Sequence, residues 1–298
     1  MFKTVAYGGW QTCYQLSNGT VELIVTGDVG PRIIHFGFVG GENEFFTFEN
    51  QLGLTGGDTW RLYGGHRLWH APEAHPRTYV PDNQPITAHY ADGVLHVVQQ
   101  TEPLTGIQKQ LWIALDPHQP KVTITHRLTN YHAWDVQLAP WALTVMAQGG
   151  TAVIPLPPRA PHDGNLLPKS SLALWAYTDL SDSRWTFGKQ YILLRQQADS
   201  EPQKVGMWVP DGWLAYVRNG HLFIKTFDAQ SGKLYPDMGS NAEIYTDHAI
   251  LELESLAPLT VLSPGEYVEH VETWMLYDGV NMPQTDEDVI RQILPYLG

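Results

Sequence analysis

Cysteine is almost missing from this 298-residue chain: Cys13 stands alone, so no intrachain disulfide can form and a thiolate-built zinc site is excluded. A solitary cysteine of this kind reads as a small buried side chain rather than a nucleophile. Positive charge is also scarce. Eighteen Lys and Arg face 31 Asp and Glu, a formal net charge of −13, and no basic run interrupts that balance. Such a surface repels a phosphate backbone, which argues against nucleic acid as a partner. No run of about 20 apolar residues is present to cross a bilayer, and the opening "MFKTVAYGGWQTCYQLSNG" lacks the apolar centre of a signal peptide. The expectation is a cytoplasmic protein without a membrane partner. Charge of either sign is sparse, at 16% of residues against 43% hydrophobic, so the chain can bury a sizeable core and disorder is excluded for most of it. All-β units reach about 200–250 residues as one domain, and one domain over 1–298 is expected.

Regular alternation of strand and helix is missing too. Instead, short runs of alternating apolar and polar residues recur between Gly, Pro, Asn and Asp, the pattern of strands joined by turns. They include "VELIVTG" (21–27), "IQKQLWIALD" (107–116), "KVTITHRLTN" (121–130), "VQLAPWALTVM" (136–146), "HLFIKTFD" (221–228) and "AILELESL" (249–256). One helix is predicted, in "TDEDVIRQILPYLG": Thr285 caps it, Asp286, Glu287 and Asp288 favour its positive start, and Val289, Ile290, Ile293 and Leu294 form an apolar face that seals an edge or end of a sheet. The proline-rich "VIPLPPRAPHDGNLLPKS" (153–170) is flanked by strand-like sequence and reads as a long loop within one sandwich rather than a linker. Eleven Trp and 14 Tyr are a heavy aromatic load, fit for a core and also for stacking on sugar rings.

Three groups of residues could carry chemistry. In "LYGGHRLWHAPE" (62–73), His66, His70 and Glu73 have the donor types of a zinc site. A zinc-protease helix, however, needs Glu directly after its first His, where Arg67 stands, and Gly64, Gly65 and Pro72 oppose a helix. The expectation is a loop that delivers His66, Arg67, His70 and Glu73 into a polar pocket, with no metal. In "AILELESL" the period of two puts Glu252 and Glu254 on one face and the leucines on the other. Two neighbouring carboxylates push one pKa upward, as a general acid or base needs, although an exposed strand face would show the same spacing. In "HLFIKTFD", Lys225 shares a face with Phe223 and Phe227; it is either a surface lysine or the counter-charge to the acidic pair, near which Glu243 also falls.

Taken in order, "SNGTVELIVTGDVGPRIIHFGF", "GGHRLWHAPE", "THRLTNYHAWDVQLAPWALTVM", "FIKTF", "YPDMGSNAEIYTD" and "LELESLAPLTVLSPGEYVEHVETWML" resemble the galactose mutarotase-like superfamily, relatives of the aldose 1-epimerases. The resemblance covers nearly the whole chain, least clearly over 155–205. It implies an all-β supersandwich with a short C-terminal helix and a concave sugar-binding cleft. It further implies a cofactor-independent epimerase, in which a glutamate takes the anomeric proton and a histidine protonates the ring oxygen. Carried over to this chain, Glu254 best matches the base, with Glu252 as the nearby competitor for that role, and His66 or His70 supplies the acid. Arg61, Arg67, Glu73, Trp141, Lys225 and Glu243 would contact a small sugar or sugar derivative. The chain departs from the family where a second histidine is expected, since "LAPWALTVM" has Trp141 there. That departure leaves two other readings: a carbohydrate-binding or sensing module that has lost its acid, or a lyase or metal-assisted hydrolase on His66, His70 and Glu73.

Overall fold

A computed structural model describes residues 1–297. Two antiparallel sheets face each other. The first runs, from one edge to the other, through Phe2–Tyr7, Trp10–Ser17, Val21–Thr26, Arg32–Phe38, His66–Ala71, Val136–Met146, Leu251–Leu256, Ala242–Thr246, Gln203–Met207 and Leu172–Leu174, with Thr260–Leu262 paired beside the start of Val136–Met146. The second runs through Trp185–Phe187, Tyr191–Arg195, Thr151–Pro155, Trp213–Arg218, His221–Phe227, Tyr267–Tyr277, Lys121–Asn130, Ile107–Leu115, Val94–Val98 and Thr87–Ala91. The strands expected from alternation lie within a residue or two of the expected places. The main core fills the space between the sheets, with Leu23, Phe36 and Leu253 from the first meeting Ile124, Phe223 and Trp274 from the second.

The middle of the first sheet sets the geometry of everything that follows. His66–Ala71, Val136–Met146 and Leu251–Leu256 lie side by side, and from Leu138 onward every residue of the three is buried. Such strands are covered on both faces, so their side chains divide between the space within the sandwich and the space beneath outer loops. The segment 66–71 is thus a central strand and not the loop expected from its flanking glycines. Gly64 and Gly65 shape its entry: both have positive φ, and a Cβ at either would meet the backbone of Phe46 or Ile33.

The proline-rich stretch crosses between sheets, leaving the Thr151–Pro155 strand and returning at the edge strand Leu172–Leu174. The helix forms at Asp286–Gln292, with Thr285 and Asp288 in a reciprocal capping box. Only Val289 and Ile293 of its expected apolar face are buried; Ile290 and Leu294 are exposed. The helix lies on the outer face of the second sheet, against Val153, Leu193, Trp213 and Ile224, rather than at an edge. Two turns present too narrow a stripe to bury all four side chains. Its Asp286 carboxylate also accepts hydrogen bonds from the backbone of Lys189, Gln190 and Tyr191. Thr285→Ala removes one cap from an exposed helix end and is expected to cost about 1 kcal/mol in urea unfolding.

Candidate functional site

Strand register divides the expected site residues between two faces of the first sheet. Thr144 pairs with His66 on one side and Leu253 on the other, while Leu143 pairs with Arg67 and Glu254. Side chains at directly paired positions point the same way, so His66, His70 and Leu253 look into the sandwich, while Arg67, Glu252 and Glu254 look outward. The pairing of Glu254 with a His66 or His70 acid therefore does not hold: the sheet itself separates them.

His66 belongs to a buried polar network between the sheets. Its Nε2 is 2.7 Å from His126 Nε2, and its Nδ1 is 2.9 Å from Thr144 Oγ1. Because His126 Nδ1 must donate to the carbonyl of His270, 2.9 Å away, His126 Nε2 is an acceptor; His66 Nε2 then donates to it, and Thr144 donates to His66 Nδ1. Burial keeps both imidazoles neutral, pushing His66 well below its ordinary pKa and lowering His126. Beside them, Glu272 receives hydrogen bonds from Lys225 Nζ (2.7 Å), Ser255 Oγ (2.5 Å) and Trp274 Nε1 (2.9 Å). Burial alone would raise the Glu272 carboxyl, but the Lys225 ammonium and the surrounding imidazoles together outweigh it, and the group stays ionised. Lys225 spends its other donors on the carbonyls of Ala142 and Leu253. Lys225 is fully buried with Glu272 as its counter-ion, so it is neither a surface lysine nor the counter-charge to Glu252 and Glu254, the two alternatives left open by the sequence. Donor atoms of His66, His126 and Glu272 lie within 4.8 Å of one another. Yet the two imidazole nitrogens already share a hydrogen bond and an ammonium ion holds the carboxylate, so these residues are suited to hold the sheets together rather than a metal.

The outer face is different. Glu254 and Glu243 are direct cross-strand partners, and Lys204 Nζ bridges them at 2.9 and 2.8 Å. Trp141 Nε1 donates to the same Glu254 oxygen, Oε2, at 2.8 Å, and Arg67 pairs with Glu252 at 2.8 Å. Glu254 Oε1, Glu243 Oε1 and Arg67 Nε are buried without a hydrogen-bond partner. Burial pushes Glu243 well above the ordinary carboxyl pKa and raises Glu254 as well, with Lys204 acting against both shifts. Burial would lower Lys204, but the two carboxylates outweigh it and keep the ammonium charged. Lys204 lies 4.8 Å from the Trp141 ring and 4.7 Å from that of Trp175. A cavity of about 370 Å³, lined by Glu73, His75, Trp141, Trp175 and Asp237, adjoins this group through its two tryptophans, with Glu254, Glu243 and Lys204 lying behind them.

Six of the residues picked from the sequence thus gather on one face: Glu254, Glu252, Glu243, Trp141, Arg67 and Glu73. Glu73 accepts a hydrogen bond from Tyr79 at the pocket rim. Arg61 sits elsewhere, bound to the Gly56 carbonyl and the Tyr63 hydroxyl. Lys204, Trp175, His75 and Asp237 escaped the sequence reading. The lone charge of "QKVGMWV" was a signal for Lys204; the others lie on irregular segments with no pattern to betray them. Cys13 is buried with Trp10 and Ile24, and its thiol is pushed up to about 11 by burial.

No model of a known protein family matches the sequence, and no curated protein matches it. Solved structures do match. A galactose mutarotase-like protein from Lactobacillus casei aligns with a TM-score of 0.56 at 8% identity, over 89% of this chain and 100% of that one. Another from Clostridium acetobutylicum aligns with a TM-score of 0.54 at 12% identity, over 93% and 98%. A candidate aldose 1-epimerase from Klebsiella pneumoniae aligns with a TM-score of 0.59 at 11% identity, over 93% and 83%. At these identities the likeness establishes the fold: the chain is a galactose mutarotase-like β-sandwich. Among the described residues no helix is long and apolar enough to cross a membrane.

Proposed function

We propose that the pocket over Glu254 binds a sugar or sugar derivative, and that the protein is a mutarotase-like epimerase working by general acid/base catalysis without a cofactor. One observation carries this reading: Glu254 is a buried carboxylate with one oxygen fixed by Trp141 and Lys204, the other unpartnered, next to an aromatic-walled cavity. Buried polar groups are ordinarily satisfied, and an orphaned carboxylate oxygen beside a pocket is suited to accept a substrate proton. The tryptophans offer faces on which a sugar ring can stack.

Glu243 replaces the histidines as proton donor. It stands across the strand pair from Glu254, shares the one ammonium of Lys204, and burial favours its neutral form. Two carboxyl groups on one lysine hold a single proton comfortably, the arrangement in which one member acts as acid and the other as base. Glu254 takes the proton of the anomeric hydroxyl as the bond from C1 to the ring oxygen breaks and C1 becomes a carbonyl. Glu243 gives its proton to the departing ring oxygen. Rotation about C1–C2 and reversal of both transfers yield the other anomer. One proton moves from Glu243 to Glu254 through the substrate, so the pair keeps its net charge against Lys204 throughout.

A second reading, a carbohydrate-binding module, draws on the absence of any imidazole from the Glu254 face of the three central strands and on Trp141 already occupying that carboxylate. Saturation-transfer NMR on a panel of aldoses decides between them. Accelerated anomer exchange supports the epimerase; saturable binding without acceleration supports the module; neither sinks both. Under either reading Trp175→Ala removes a stacking wall and is expected to weaken sugar binding about tenfold, measured by calorimetry.

A further inference from the structure

We propose a second small-molecule site, separate from the Glu254 pocket, at the end of the sandwich, where a cavity of about 390 Å³ beside His70 accepts a short 2-hydroxy carboxylate. His70 faces inward, on the opposite side of the sheet from Glu254. Its imidazole is only 1% exposed, yet neither ring nitrogen has a hydrogen-bond partner. A fully buried imidazole on a cavity wall, with no partner at Nδ1 and only a distant carboxylate at Nε2, is an incomplete site, because buried polar groups are otherwise paired.

The surroundings specify what would complete it. His70 Nε2 lies 3.8 Å from Glu102 Oε2, and that carboxylate is held ionised by Lys109 Nζ at 2.6 Å and by the Thr105 hydroxyl at 2.5 Å. An imidazole beside a fixed carboxylate carries its proton on the nearer nitrogen, so Nε2–H faces Glu102 and Nδ1 is left as an acceptor. Burial keeps the ring neutral, in agreement with that tautomer. The ligand must therefore offer a hydrogen-bond donor, which a hydroxyl supplies without adding charge. On the wall formed by the 72–79 loop, Arg77 donates to the Pro72 carbonyl and has no carboxylate partner among the described residues. The ligand must also bring negative charge, which a guanidinium recognises best as a carboxylate. Leu104, Ile107, Val136 and Leu138 make much of the remaining lining apolar, beside the polar side chains of His132 and Gln137. A hydroxyl and a carboxylate on a short carbon frame meet all three demands, and a 2-hydroxy acid is the smallest such molecule.

Histidine Cε1–H resonances, followed by NMR on the full chain, test this with lactate and malate as probes and propionate and 1,2-propanediol as controls. Lactate or malate is expected to shift one histidine resonance saturably, the one lost in His70→Asn. Propionate, lacking the hydroxyl, and propanediol, lacking the charge, should each bind at least about tenfold more weakly. Arg77→Gln should weaken the hydroxy acid about tenfold or more, while Glu254→Gln leaves it unchanged. Should His70→Asn fail to fold, Arg77→Gln, at a half-buried position next to exposed turn residues, still decides. No saturable shift with either hydroxy acid, equal binding of propionate, or full affinity in Arg77→Gln would each overturn the proposal.

Discussion

Glu254→Gln is expected to lower the rate of anomer exchange by about 10²–10⁴-fold, the range spanned by loss of a positioned general base, with sugar affinity nearly unchanged. Glutamine keeps the shape of the side chain, and its carbonyl oxygen can still accept from Trp141 Nε1 and Lys204 Nζ. It cannot take up a proton. The effect should therefore fall on kcat and leave KM in place, the signature of an interaction that operates only in the transition state. A secondary consequence separates the proposed pair from an isolated base. Glu254 is one of the charges that raise Glu243, so its neutralisation leaves Lys204 with a single counter-ion and Glu243 drops toward its ionised form. Residual activity in the variant should accordingly sit at lower pH than in the wild type, where Glu243 is still protonated. A Glu254→Gln protein with undiminished exchange would remove the carboxylate from the mechanism altogether.

What the sequence disclosed about this site follows from how strands expose their faces. In "AILELESL" each second residue is charged, so the alternation separates Glu252 and Glu254 from the leucines, and the structure keeps that separation. In "HRLWHA" both faces are buried and both carry polar groups, so nothing local tells His66 from Arg67 in orientation. The reading of a histidine acid failed at that point. A shift of one position in a strand exchanges its faces, and only the pairing with Val136–Met146 fixes which face is which. The fate of Lys225 was hidden for a related reason. Its place between Phe223 and Phe227 on one face was legible, but Glu272 lies on the neighbouring strand 47 positions later along the chain, and nonlocal pairing leaves no mark in a local pattern. The fold was easier to read because it rests on many short alternating runs, each legible by itself. The site rests on single cross-strand neighbours such as Glu243 and Glu254.

Lys225→Met is expected to cost about 3–5 kcal/mol at pH 7 in urea unfolding, because it leaves the Glu272 carboxylate buried without its ammonium. Methionine fills most of the lysine volume, so the loss is electrostatic rather than a cavity. Adding Glu272→Gln should recover much of it, since the paired neutral residues strand no charge. Acidification tests the same network with the sign worked out. His66, His126 and His270 are neutral in the fold because burial lowers them, His270 to about 3. Unfolded histidines take up protons below about pH 6.5 while these do not, so the unfolded state gains on acidification. His270 alone contributes roughly 1–1.5 kcal/mol of lost stability per pH unit over that window. Glu272 is depressed, so its stabilisation is present above the unfolded carboxyl pKa and is lost as pH falls through its folded value. In Lys225→Met the Glu272 contribution reverses: without the ammonium, burial raises the carboxyl, and protonation now relieves the fold. The variant should therefore lose less stability than the wild type between pH 7 and pH 5, and their urea midpoints should converge. Parallel midpoints across that range would mean that Lys225 and Glu272 do not face each other as an ion pair, and the buried network would lose its central contact.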